Sequence, residues 1–356
     1  MAESSVPCWF GPTLNAILDG QDLAGDAMTT MMEGLLAGEA SPVETAALLV
    51  ALRSRGESAG ELASAAAVMR RHCQPLDLPG EELLDTCGTG GDGLATFNIS
   101  TATALVVAGA GVKVVKHGNR AVSSTSGSAD VLAVLGVHTA ADGATARRCL
   151  AAAGMAFCLA PVYHPALRHV GEVRRRLGIR TLFNCLGPLA NPARARFQLL
   201  GVGRREWLDR MAHALAVLGT ERAFLVHSTD GLDEVSLSAP TLVREVQGHT
   251  VLAREWTPAD FGLPPCLLTD LRVDGPEASA AVIRRLLDGE AGPCRNVVLA
   301  NAAAALLAAG RATSPRQGVA LAADAIDSGR ARRVLQSLVE LTTKDSSDGH
   351  QGTSHR

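Results

Sequence analysis

The sequence predicts an α/β protein: a small helical unit, then a larger unit with a mostly parallel central sheet wrapped by helices. Three observations carry this reading. Residues 12–73 look like helix after helix. From residue 83, short apolar runs end in glycine-rich loops and lead into helical stretches. The 356 residues are 47% hydrophobic and 19% charged, enough to bury a sizeable core. A chain of this length admits two domains, or one large domain with a satellite.

Taken in order, Ser41-Pro42-Val43-Glu44 is a capping-box pattern with proline at the first helical position, and Ser58-Ala59-Gly60-Glu61 repeats the box. Leu48, Leu49 and Leu52, then Leu62, Ala66 and Met69, recur at helical spacing. The break between these two helices falls between Arg53 and Gly60. A unit this small should dock on the rest of the chain or on a second copy of itself. Leu83–Cys87 then leads through a glycine loop to a helix near 99–110, and Val112–Lys116 leads to a helix near 128–135. Ala223–His227 follows a helix near 206–218. Such alternation is the pattern of a parallel sheet covered by helices. Residues 241–256 read instead as an antiparallel hairpin turning at Gln247-Gly248. Helices return at 276–288, 294–310 and 315–340, and the polar stretch from Lys344 to Arg356 reads as an unordered tail.

Charge and cysteine usage exclude several classes. The formal net charge is −3, from 33 Lys+Arg against 36 Asp+Glu, which argues against a nucleic-acid binder. No run reaches the ~20 apolar residues that span a bilayer, and the N-terminus lacks the pattern of a signal peptide. Eight cysteines are scattered without a C-x-x-C pair, as expected of reduced thiols in a cytoplasmic protein.

Three loops and one helix hold the residues suited to chemistry. Gly88-Thr89-Gly90-Gly91-Asp92-Gly93 precedes a helix that starts at Asn98 or Ser100, so close backbone approach and free N–H groups converge in an anion cradle. Its spacing matches neither the P-loop nor the dinucleotide fingerprint, and glycine loops also serve as plain turns. Lys116-His117-Gly118-Asn119-Arg120 then runs into a hydroxyl-rich loop ending at Ser128. Lys116 is one of three lysines in an arginine-biased chain, and its compact ammonium suits a phosphate. The serines also suit capping and turns. Two anion loops so close together suggest a ligand with phosphates at both ends. Asp233 and Glu234 adjoin a strand end; such pairs often face solvent, but beside phosphate loops they are candidates for Mg²⁺. Arg174, Arg175 and Arg176 would normally splay around a solvated helix face, although one could turn inward and bind a carboxylate.

These segments resemble the anthranilate phosphoribosyltransferase family. The carriers are GTGGDG (88–93), NIST (98–101), KHGNR (116–120), SSTSGSADVL (123–132), YHPALRHVGEVRRRLGIRTLFNCLGPLANP (163–192) and DEVSL (233–237), across residues 12–340. The resemblance implies that Gly88, Gly91, Asp92, Thr96, Asn98, Ile99, Ser100 and Thr101 contact phosphoribosyl pyrophosphate. It adds Lys116, His117, Gly118, Asn119, Arg120, Ala121, Val122, Ser123, Ser124 and Ser128 to that site. It implies anthranilate binding by Gly88, Asn119, His164 and Arg174, with His117 and His164 lining the path. Ser100, Asp233 and Glu234 would hold two Mg²⁺ ions per subunit. It also implies a helical, dimer-forming domain of 12–75 with 168–195, and an α/β domain of 76–167 with 196–343. One departure is visible: many relatives carry lysine where this chain has Thr125.

The reaction so implied moves a phosphoribosyl group from pyrophosphate to the amine of anthranilate through an oxocarbenium-like state. It needs no dedicated acid or base, because the leaving group is already good and the aromatic amine is neutral. The work falls to positioning and electrostatics. A nucleoside phosphorylase would carry Lys-His-Ser-Thr-Gly-Gly in its phosphate loop, whereas Lys116-His117 continues here as Gly-Asn-Arg. A nucleic-acid-binding relative would need a basic surface.

Overall fold

The computed structural model describes residues 6–121 and 126–348. Four helices open the chain: α1 (Phe10–Leu18), α2 (Gly25–Ala37), α3 (Pro42–Arg55) and α4 (Ala59–Arg71). Both capping boxes form. Ser41 and Glu44 bond reciprocally at the start of α3, and Ser58 and Glu61 do so at the start of α4. The buried Glu61 carboxylate also accepts the Leu23 N–H at 2.9 Å and pairs with Arg55, so one cap residue ties α4 to the end of α3 and to the loop between α1 and α2.

Next come β1 (Leu83–Gly88), α5 (Ile99–Gly109), β2 (Lys113–Gly118), α6 (Ser128–Val134), α7 (Gly143–Ala153) and β3 (Met155–Leu159). A crossing segment carries α8 (Ala160–Tyr163), α9 (Arg168–Leu177) and α10 (Phe183–Leu189). The chain then returns through β4 (Phe197–Gly201), α11 (Arg205–Val217), β5 (Arg222–Ser228), β6 (Thr241–Gln247) and β7 (Thr250–Trp256). It closes with α12 (Pro258–Phe261), α13 (Gly275–Leu287), α14 (Pro293–Ala308), α15 (Pro315–Asp327) and α16 (Arg330–Asp348).

The seven strands form one sheet in the order β3-β2-β1-β4-β5-β6-β7, with β1 to β5 parallel and β6–β7 an antiparallel hairpin. The small helical unit and the mostly parallel sheet are the architecture expected. The hairpin turns at Gly248-His249, one residue later than the sequence suggests, because Gln247 still pairs with Thr250 and Gly248 takes the φ of +57° that two-residue hairpins require. Side chains alternate across the sheet with period two. Leu199, Phe224, Val226 and Val243 enter a core with α5, α13 and α14, whereas Leu200, Ala223, Leu225 and Val246 face α11 and the helical unit. Although distant in sequence from the opening helices, α9 packs against α2 and α3, and α10 against α4.

Three features differ from the sequence reading. Strands β3 and β4 are additional, because five-residue apolar runs such as Met155–Leu159 carry no periodicity that separates a buried strand from a helix. The stretch 315–340 is two helices, broken at Ser328-Gly329, where Gly329 adopts φ +72°. Helix α16 runs on to Asp348, so Lys344–Asp348 is helical where composition suggested an unordered tail. Thr342 anchors that end by accepting the His138 N–H, and an established helix extends at little cost. Residues 349–356 lie outside the described residues.

Ser41→Ala and Ser58→Ala should each cost about 1 kcal/mol through the lost cap. The expected readout is a lower urea midpoint with an unchanged m value.

Candidate active site

Strand β1 has β2 and β3 on one side and β4 and β5 on the other, so the sheet order reverses between β1 and β4. In parallel sheets the crevice at the carboxyl ends of such a pair is where ligands bind. Here Gly88 pairs with Gly201 at those ends. The loop carrying Asp233 lies so close that a Cβ on Gly201 would fall 1.7 Å from the Asp233 carbonyl oxygen, and one on Gly88 would fall 3.0 Å from its Oδ2. Thr89 closes the crevice floor, donating its N–H to the Gly201 carbonyl at 2.8 Å and accepting the Gly203 N–H at 2.9 Å.

The glycine loop ends on Asn98, the N-cap of α5, whose Oδ1 accepts the Thr101 N–H at 3.1 Å. Upstream, Asp92 closes its own turn by accepting the Leu94 N–H, and Ala95 and Phe97 bond to the strand-like segment at 271–273. Ile99 and Thr101 turn their side chains into the core, so only their backbone groups face the crevice end of the helix. Thr96 and Ser100 remain half-buried at its rim.

Across the crevice, Asp233 accepts the Gly90 N–H at 3.1 Å, and Glu234 lies beside the Ser100 backbone. The structure thus brings Ser100, Asp233 and Glu234 together from segments far apart in sequence. Burial pushes the Asp233 carboxyl up to about 7, helped by the neighbouring Asp92 carboxylate. Burial and Asp233 likewise push Glu234 well up, against the opposing pull of Lys116. Carboxylates that hold protons this tightly are short of positive charge. Among the described residues no three His, Cys, Asp or Glu side chains form a self-sufficient metal site. An all-oxygen set of two carboxylates and a hydroxyl is what Mg²⁺ accepts when substrate phosphates supply the remaining ligands.

Lys116 lies beneath the crevice, 1% exposed, with its ammonium donating to the Thr86 carbonyl and to Ser100 Oγ at 3.0 Å. Beside it, buried Asp85 accepts the His117 N–H at 3.2 Å and the Asn191 amide at 2.8 Å. Burial raises the Asp85 carboxyl to about 6, with Asn191 and Lys116 opposing the rise. His117 bonds through Nδ1 to the Gly187 carbonyl of α10 at 3.0 Å and faces His164, ring centroids 5.0 Å apart. Burial lowers His117 to about 3 and His164 to about 4, so both imidazoles are neutral near pH 7. Neither Nε2 has a hydrogen-bond partner.

Gly118 ends β2 against Ser128, and Asn119 and Arg120 are exposed. Asp130 accepts both the Ala121 and Gly127 N–H groups, closing the neck of the second loop. Val122, Ser123, Ser124 and Thr125 lie outside the described residues. Of the three successive arginines, Arg175 and Arg176 are exposed, whereas Arg174 is half-buried over the Phe183 ring at 5.2 Å.

Three residues quoted only as parts of motifs prove central: Asp85, Asn191 and Arg180. A carboxylate inside the apolar run Leu83–Cys87 was the available signal for Asp85. Nothing in sequence marked Arg180. Its Nη2 donates to the Gly90 carbonyl at 2.7 Å and packs on Gly91, where a Cβ would fall 1.0 Å from it, and its guanidinium lies over Trp207.

A helical unit set beside a sheet whose switch-point crevice combines an anion loop with paired carboxylates defines a class. Residues 12–73 match the helical bundle domain of the glycosyl transferase family and residues 80–332 match its a/b domain. The chain is 50% identical to an anthranilate phosphoribosyltransferase of Thermomicrobium roseum over 94% of its own length and 97% of that protein's. The crystal structure of anthranilate phosphoribosyltransferase from Thermus thermophilus superposes with a TM-score of 0.87 at 44% identity, covering 93% of this chain and 99% of that one. The Saccharomyces cerevisiae enzyme in complex with PRPP and Mg superposes at 0.85 and 30% identity, covering 94% and 97%. The chain belongs to the anthranilate phosphoribosyltransferase family.

Two outcomes follow from this geometry. Arg180→Ala should raise the Michaelis constant for the phosphate-bearing substrate at least severalfold, with Arg180→Lys recovering part of the loss, as steady-state kinetics would read. The buried neutral histidines bind protons more weakly folded than unfolded, where their pKa is about 6.5. Their contribution is therefore complete above that pH and is lost as pH falls toward 4. At pH 5 each imidazole should cost on the order of 2 kcal/mol, so a His117→Asn/His164→Asn variant should lose less stability than the wild type between pH 7 and 5.

Proposed function

We propose that this chain transfers the 5-phosphoribosyl group of phosphoribosyl pyrophosphate to the amine of anthranilate, giving N-(5-phosphoribosyl)anthranilate and pyrophosphate. The observation that carries the reading is the convergence of Asp233, Glu234 and Ser100 on the glycine loop at the β1–β4 switch point. The first loop and the start of α5 offer backbone N–H groups to the pyrophosphate, and the loop between β2 and α6 takes the 5′-phosphate. Asp233, Glu234 and Ser100 are suited to hold two Mg²⁺ ions. Bound there, Mg²⁺ neutralises charge on the leaving pyrophosphate.

The chain's own residues position and enclose. Arg174 is held inward against α10, the helix that His117 also bonds, and its guanidinium is placed to receive the anthranilate carboxylate. His117 and His164 line the approach as neutral rings, so they add no cation to repel a developing oxocarbenium charge. The C1–oxygen bond to pyrophosphate breaks, the amine nitrogen bonds C1, and the amine then sheds a proton to solvent or product phosphate. No side chain is assigned as acid or base. Catalysis is positioning, charge stabilisation and exclusion of water.

Leu18, Val43 and Val50 leave apolar side chains exposed on α1 and α3, which supports a homodimer through the helical unit. All eight cysteines are free thiols, in keeping with a cytoplasmic setting. Among the described residues no helix is long and apolar enough to cross a membrane.

The test is anthranilate fluorescence over time with the sugar pyrophosphate and Mg²⁺, alongside samples lacking either. A decay that requires both is expected; flat traces from folded protein would overturn the reading. Asp233→Asn should slow turnover on the order of 10²-fold. Arg174→Ala should raise the Michaelis constant for anthranilate while sparing that for the donor, and an equal rise in both would remove Arg174 from the acceptor site.

A further inference from the structure

We propose that Asn301, on α14, is a positioning residue that sets the direction of the Asp233 and Glu234 carboxylates by holding the backbone of Val235. The inference rests on the metal reading of that pair given above. Asn301 is fully buried. Its Oδ1 accepts the Val235 N–H at 2.9 Å, and its Nδ2 donates to the Val235 carbonyl at 2.9 Å. The second Nδ2 proton goes to the Val297 carbonyl one turn back in α14, also at 2.9 Å. One side-chain amide therefore saturates both backbone groups of the residue that follows Glu234.

Asn301 is the single polar side chain from Val297 to Ala308, in a run otherwise of valine, leucine and alanine. A buried amide costs stability unless every hydrogen bond is made, and alanine already packs at the positions around it. What the amide adds over alanine is its grip on the loop. On the other side, the Asp233 carbonyl sits so tightly on Gly201 that no Cβ fits there. Residues 233–235 are thus held between the end of β4 and the Asn301 side chain. The apolar anchors Leu232, Val235 and Leu237 are fully buried and fix depth, but apolar packing has no directionality. Two reciprocal hydrogen bonds to one residue supply it. A displacement of about 1 Å in such a group can cost on the order of 10²-fold in rate.

The opposite wall has a counterpart. Buried Ser279 on α13 accepts the Asn98 N–H at 2.9 Å, one residue from the start of α5 and two from Ser100. Both walls of the crevice are therefore registered against the C-terminal helices.

The experiment compares wild type with Asn301→Ala and with the milder Asn301→Ser, which keeps a donor and an acceptor but is too short to reach both Val235 groups. Mg²⁺ binding is measured by calorimetry in saturating pyrophosphate, independently of turnover, together with the Michaelis constant for anthranilate and the urea midpoint. Mg²⁺ binding should weaken at least tenfold in both variants, while the anthranilate constant stays within about twofold. A lower urea midpoint with Mg²⁺ binding within twofold of wild type would reduce Asn301 to a core residue and overturn the proposal. If Asn301→Ala does not fold, Asn301→Ser decides by the same criterion. If wild type itself takes up no Mg²⁺ with pyrophosphate, the metal assignment fails first and this proposal falls with it.

Discussion

One buried ammonium organises the crevice. Lys116 is at the end of β2, yet it donates to the backbone of β1 and to the first turn of α5 while lying beside Asp85 and Glu234. A lone charge at that depth would be very costly, and attraction to carboxylates offsets the cost only with good geometry. The surroundings supply it. Asp85 is fixed by the His117 N–H and the Asn191 amide, and Asn191 in turn bonds the Val115 carbonyl at 2.8 Å. The crossing segment, two strands and the start of α5 are thereby locked to one charge.

The same network explains the polarity of the site. Lys116 lies beside Asp85 and Glu234, and Arg180 approaches Asp233 and Asp92, yet burial still raises the Asp85, Asp233 and Glu234 carboxyls. A divalent cation bound with a phosphate-bearing substrate would relieve that imbalance. The crevice is thus poised to favour a bound cation over a further proton on these carboxyls. Stability and binding share this one cluster.

The crossing segment connects the helical unit to the glycine loop. Arg174 closes α9 over Phe183, and Arg180, six residues later, grips Gly90 and covers Gly91. Helices α9 and α10, packed on the helical unit, are therefore linked to the glycine loop through one short stretch of chain. Arg70 adds a tether from α4 by donating to the Leu189 carbonyl at 2.8 Å. The helical unit touches the glycine-loop side through these contacts and shares a core with one face of the sheet.

Sequence by itself determined the helical unit, because serine-glutamate capping boxes and helical spacing are local signals carried within a few residues. It also marked the loops after β1 and β2, the Asp233-Glu234 pair and the hairpin, its turn off by one residue, where glycine and carboxylate chemistry is visible without partners. It did not mark β3 and β4 as strands, since short apolar runs read alike in helix and strand. Nor did it show that Lys116 points inward, that Arg174 rather than Arg175 turns toward α10, or that Arg180 and Asn301 serve the loops. Only tertiary structure decided those points. Lys116 turns on partners 16 and 30 positions away, Arg180 and Asn301 on partners 90 and 66 positions away, and Arg174 on which face of a helix meets a neighbour. Such contacts arise from how the sheet order reverses at β1, and no local pattern encodes that reversal.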